Sequence, residues 1–103
     1  MEKVAFKMYL KPGCEEEYKR RHEEIWPALK ALLKESGLSD YSIFWDKELN
    51  LLFAVQRTEG EGSQALGDNA IVKEWWTYMA DLMETHTDHS PLSKSLELLF
   101  HMD

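Results

Sequence analysis

The sequence predicts an α+β domain whose elements run β-α-β-β-α-β. Two observations carry that reading: four stretches alternate apolar and polar residues at the period of a strand, and two longer stretches between them repeat apolar residues at helical spacing. A third, the four-residue connector "KELN" between the second and third alternating stretches, is short enough only for an antiparallel hairpin.

Each element has its own signal. "VAFKMYL" (4–10) places Val4, Phe6, Met8 and Leu10 on one side and Ala5, Lys7 and Tyr9 on the other. "KPGCEEE" turns the chain, and the acidic residues 15–17 suit the positive end of a helix dipole. The helical segment spans Cys14 to Ser36, with Gly37 as its stop. Its inward stripe reads Tyr18, His22, Ile25 or Trp26, Leu29, and Leu32 or Leu33. Pro27 removes a backbone donor and crowds the carbonyl of Glu23, which predicts a kink or a break into two helices. "YSIFWD" (41–46) and "LLFAVQRT" (51–58) are the hairpin strands. Residues 59–69 form a loop with one helical turn around Ser63 to Leu66, and Asp68 or Asn69 caps the helix "AIVKEWWTYMADLM" that follows. Residues 84–94 are polar and irregular, and "SLELLFHM" (95–102) alternates again as a fourth strand. Two helical segments on one side of a four-stranded antiparallel sheet make the ferredoxin-like arrangement.

Both faces of that sheet are apolar. Tyr41, Ile43 and Trp45 oppose Phe44, while Leu51, Phe53 and Val55 oppose Leu52 and Ala54. Helices cover one face only, and a solvated antiparallel face alternates more cleanly than this. A second copy packed sheet-to-sheet is the expected cover, giving a homodimer.

The totals restrict the partners. At 103 residues the chain (1–103) reads as a single domain. Twelve basic against nineteen acidic residues give a formal charge of −7, which argues against nucleic acid and against an anionic membrane surface. No apolar run approaches membrane-spanning length, and the opening residues do not form a signal peptide. The one cysteine, Cys14, has no internal partner and fits a reducing compartment, so a soluble cytoplasmic protein is expected.

No GxGxxG, P-loop, CxxC or HExxH stretch is present. Candidate chemistry lies in a looser set. His22 can hold or release a proton near neutrality, and Tyr18 lies one helical turn before it on the same face. Trp75 and Trp76 point about 100° apart on their helix, so at most one is central to the core and the other borders it, where a flat ring can meet a ligand. Tyr41 opens a strand beside a polar turn. Each of these also has a plain packing explanation. His86 and His89, with Asp88 between them, have no further clustered ligand, while catalytic zinc wants three protein ligands with supporting contacts around them, and no metal is expected.

Taken together, "EEYKRRHEEIWPAL" (16–29), "YSIFWDKELNLLFA" (41–54), "WWTYMADLM" (75–83) and "HSPLSKSLELLF" (89–100) resemble the L-rhamnose mutarotase family over essentially the whole chain. The stretch from Arg57 to Ala70 departs, being Gly-rich, slightly short and without the tryptophan expected there. The resemblance implies a dimeric α+β barrel and interconversion of the α and β anomers of L-rhamnose. It implies a proton-donor role for His22 and sugar contacts for Tyr18, Tyr41, Trp75 and Trp76, with no cofactor. On this reading His22 is the acid on the ring oxygen, and Tyr18, Asp46 or a bound water is the matching base. Two other readings share the same features: a small monooxygenase of the dimeric α+β barrel class acting on an aromatic or haem substrate, and a non-catalytic sugar-binding module. The first rests on fold analogy alone.

Overall fold

A computed structural model describes residues 2–103. Its elements are β1 (Glu2–Tyr9), α1 (Glu15–Glu23), α2 (Pro27–Glu35), β2 (Leu38–Asp46), β3 (Leu51–Thr58), a single 3-10 turn (Ser63–Ala65), α3 (Ala70–Met79) and β4 (Ser93–Leu96). The strands form one sheet in the order β2-β3-β1-β4, every neighbouring pair antiparallel. With α1 and α2 as one interrupted helical segment, this is the expected ferredoxin-like order. Among the described residues no helix is long and apolar enough to cross a membrane.

The break at Pro27 is complete. Trp26 is extended (φ −60°, ψ 129°), as the residue before a proline prefers, and Pro27 becomes the first residue of α2, where its missing N–H costs nothing. Cys14 and Ser36 flank the pair of helices, and Gly37 follows at φ 87°, a left-handed conformation that admits glycine without strain. The Asn69 side chain caps α3, its Oδ1 accepting from the Ile71 N–H at 2.9 Å.

One face of the sheet carries the core. Phe6 and Met8 from β1, Leu10 just after it, and Leu52 and Ala54 from β3 meet Leu29 of α2 and Val72, Trp75 and Met79 of α3, all buried. The spacing of the last three, i, i+3 and i+7, is one helical face. Gln56 and Thr58 continue the inward row of β3 as buried polar residues.

Three boundaries differ from the sequence reading. Strand β2 begins at Leu38, not Tyr41, and carries a bulge. The register passes from Ser39 opposite Arg57 to Ser42 opposite Val55, so Asp40 and Tyr41 together face Gln56. Helix α3 ends at Met79 rather than Met83, because the next residues bond to the end of β1: Lys11 N–H donates to the Leu82 carbonyl (2.8 Å) and Glu84 N–H to the Tyr9 carbonyl (2.9 Å). Leu82 and Met83 remain buried all the same. The last strand is Ser93–Leu96 rather than 95–102. It pairs antiparallel with β1 from Ser93 opposite Met8 to Leu96 opposite Ala5. Beyond Leu96, Leu98, Leu99, Phe100 and Met102 lie outside regular structure and are exposed.

The stability of α3 rests partly on its cap. Asn69→Ala is expected to lower unfolding free energy by about 1 kcal/mol, a fall in melting temperature of roughly 4–8 °C, while Asn69→Ser retains most of it; thermal denaturation followed by circular dichroism measures both.

Candidate active site

All five residues singled out from the sequence line one groove. Tyr18 and His22 come from α1, Tyr41 from β2, and Trp75 and Trp76 from α3; the groove has a volume of about 720 Å³. That lies within the usual range for small-molecule sites. An inner hollow of about 50 Å³ shares the same five residues and reaches the buried methionines Met8, Met79 and Met83. Its lining carries no carboxylate, ammonium or guanidinium group among the described residues; Glu15, Lys19, Glu23, Lys30, Lys34 and Asp40 line only the larger groove.

Ring contacts fix the imidazole. His22 stacks on the Tyr18 ring at 4.4 Å and meets the edge of Trp75 at 5.4 Å; Trp75 in turn packs edge-on against Trp26 at 5.1 Å. The His22 Nδ1 lies 3.0 Å from the Tyr18 carbonyl oxygen. A carbonyl can only accept, so Nδ1 carries the hydrogen and, in the neutral ring, Nε2 holds the lone pair. Burial lowers the His22 pKa, and the bond to Tyr18 offsets part of that effect. The ring is therefore neutral at pH 7, with one basic nitrogen. Burial pushes the Tyr18 and Tyr41 phenols upward, Tyr18 further through its neighbour Tyr41, so both stay protonated as hydrogen-bonding groups. Asp46 does not belong to the groove: its Oδ1 accepts the N–H groups of Glu48 and Leu49 (3.0 and 3.1 Å) and shapes the hairpin turn. Neither Tyr18 nor Asp46 is thus placed and poised as a base.

The paired indoles divide as expected from their angular separation. Trp75 is buried, while Trp76 is half-buried along the groove. A Cβ at Gly67 would stand 2.9 Å from Trp76 Cζ3, so the loop backbone lies directly on this indole. Tyr41 owes its direction to the bulge at residues 40–41, where Asp40 takes φ 48°.

Helix α1 is fastened at its far side. The Arg21 guanidinium, 11% exposed, bonds Glu17 (2.8 Å), Asp81 (2.9 Å) and the Tyr78 carbonyl (2.6 Å), and lies 4.3 Å over the Tyr78 ring. Arg20 and then Arg21 hold the Glu17 carboxyl at about 2, well below the usual carboxylate range.

The sequence reading missed two wall residues, Ser63 and Gln64, and the buried Gln56 that supports them. Gln56 is fully buried; its Nε2 donates to Ser63 Oγ (2.9 Å) and its Oε1 accepts from the Ser63 N–H (2.8 Å). Ser63 Oγ lies 3.5 Å from the Tyr41 hydroxyl. One signal was available, since Gln56 follows Leu52 and Ala54 on the inward side of β3, and a buried amide requires polar partners.

Flat rings for C–H surfaces, neutral hydroxyl and amide groups, and a single titrating imidazole define a site of the carbohydrate-handling class. The family model described as L-rhamnose mutarotase matches residues 3–102. The L-rhamnose mutarotase of Bacteroides thetaiotaomicron is 64% identical and that of Phocaeicola vulgatus 56% identical, each match covering 100% of both chains. The crystal structure of L-rhamnose mutarotase from Formosa agariphila superposes with a TM-score of 0.93 at 50% identity, covering 100% of both chains. The chain belongs to the L-rhamnose mutarotase family.

Because the Trp76 ring, not backbone, meets the added methyl, Gly67→Ala is expected to tilt this indole and leave the fold intact. Tryptophan fluorescence should shift while the far-ultraviolet circular dichroism spectrum stays that of the wild type.

Proposed function

We propose that the protein interconverts the α and β anomers of L-rhamnose, with His22 as the catalytic group and Tyr18, Tyr41, Trp75 and Trp76 as the sugar contacts. The observation that carries the reading is the His22 ring itself: Nδ1 bonded to the Tyr18 carbonyl, the ring set among aromatic side chains beside a small hollow with no charged side chain in its lining among the described residues. Family membership and the relatives named for this activity support the substrate.

The chemistry asks little more of the site. A pyranose changes anomer when the anomeric O1–H loses its proton, the C1–O5 bond breaks, and O5 gains a proton to leave the open aldehyde. Rotation about C1–C2 followed by closure on the other face gives the second anomer. Neutral His22 takes the O1 proton at Nε2, and the resulting imidazolium gives it to O5. Both oxygens are attached to C1, so one nitrogen can serve them in turn, as base and then as acid. The protonated phenols donate hydrogen bonds to ring and hydroxyl oxygens and do not titrate. No electrons leave the sugar and no water is consumed, so the reaction itself calls for no cofactor.

A second copy completes the assembly in this reading. The sheet face turned away from the helices presents Ala5, Tyr9, Phe44, Leu51, Phe53 and Val55, and Phe44 is 62% exposed in the single chain. A face of that kind is covered in solution, and sheet-to-sheet packing of a homodimer covers it. The free thiol of Cys14 fits a reducing cytoplasm.

Exchange NMR on L-rhamnose tests the catalytic assignment. His22→Ala should reduce anomer exchange by on the order of 10²–10⁴-fold; exchange as fast as in the wild type would remove His22 from the mechanism. Because the working ring is neutral and burial lowers its pKa, kcat/KM should stay level through neutral pH. It should fall only on acidification, with a midpoint below about 6.5. A rate that rises on acidification through that range would show that the protonated ring starts the reaction. For the assembly, light scattering should give a particle of twice 12.1 kDa, reduced to one chain by Phe44→Glu.

A further inference from the structure

We infer that Gln64 is a specificity-determining residue of this site, its amide reading ring hydroxyls of the bound sugar. The inference rests on the sugar-pocket reading above and adds to it a residue outside the set predicted from the sequence.

Gln64 lines both the groove and the inner hollow, alongside His22, Tyr41 and Trp76. It sits on the 3-10 turn Ser63–Ala65, and that turn is anchored from below. The fully buried Gln56 grips Ser63 through two hydrogen bonds, of 2.9 and 2.8 Å, one to the side chain and one to the backbone N–H. Ser63 Oγ then accepts from Gln64 Nε2 at 3.4 Å. A loop that departs from the expected family pattern is thereby tied to the sheet at the point where it reaches the ligand.

The arithmetic of donors decides what Gln64 can do. Its amide has two N–H donors and an oxygen with two lone pairs. One N–H goes to Ser63, which leaves a donor and an acceptor, in one plane, on a half-buried side chain in the pocket wall. Each sugar hydroxyl both donates and accepts, so this pair matches two neighbouring hydroxyls at once. The indoles contact C–H surfaces and do not distinguish one hydroxyl from its absence. A polar group shielded from water does, because a missing partner leaves it unsatisfied.

The test compares KM and kcat for Gln64→Met, which keeps the length of the side chain and removes its polar atoms, and for Gln64→Ala. Substrates are L-rhamnose and its analogues lacking one hydroxyl at C2, C3 or C4. Both variants should raise KM for rhamnose roughly tenfold, the loss of two neutral hydrogen bonds, and change kcat by about twofold or less. In the wild type the analogue missing the hydroxyl that Gln64 reads should show a raised KM; in the variants removing that hydroxyl should raise KM no further. An unchanged KM for rhamnose, or a KM raised by the same factor for rhamnose and every analogue, would overturn the inference while leaving the mutarotase reading in place. Failure of the wild-type protein to speed anomer exchange would overturn the mutarotase reading itself.

Discussion

The layer above the sheet is organised by the interruption between Glu23 and Pro27. A continuous helix from residue 15 to 35 would carry one inward stripe along one axis. The break instead gives two nine-residue helices with separate duties. Helix α2 packs through Leu29. Helix α1 buries only Tyr18 and is too short to persist by hydrogen bonding alone. It holds its place because Arg21 grips the Tyr78 carbonyl in the last turn of α3 and Asp81 just after it, and because its rings interlock with Trp75. The His22 imidazole is thus carried by an element that is weakly packed and firmly pinned.

The same arrangement governs its acid–base behaviour. The backbone carbonyl of Tyr18 fixes which nitrogen bears the hydrogen, and the surrounding rings exclude the water that would favour the charged form. Charged groups are plentiful on α1, yet Glu17, Arg20 and Arg21 are paired among themselves and with Asp81 on the other side of the helix. Low polarity around the imidazole and a strong ionic clamp behind it come from the two faces of nine residues.

Much of this was legible in the sequence, and for physical reasons. Period-two alternation marked β1 and β3, helical spacing marked Val72, Trp75 and Met79, and Pro27 marked the break, because each reflects a local steric or packing rule. The five residues of the proposed site were found through spacing and family likeness together. What escaped notice depended on distant partners. The early end of α3 follows from backbone bonds between the residues after it and the end of β1. The polar wall of Ser63 and Gln64 is tied to Gln56 behind it, joining an irregular loop to a strand, a meeting that no local pattern encodes.

The bulge at Asp40 and Tyr41 has a bearing on how this chain can change over generations. On either side of it, β2 keeps its own alternation against β3, and the extra residue is what sets Tyr41 on the helix-facing side. Loss of one position there would restore regular pairing, one residue in place of two opposite Gln56, and remove the local twist that aims Tyr41. The loop at 59–69 is held at separate points, Glu59 N–H on the Gly37 carbonyl, Ser63 on Gln56 and Asn69 on the start of α3, and the spans between them can drift in length. Descent should therefore tolerate indels in that loop and purge them from the stretch that presents Tyr41.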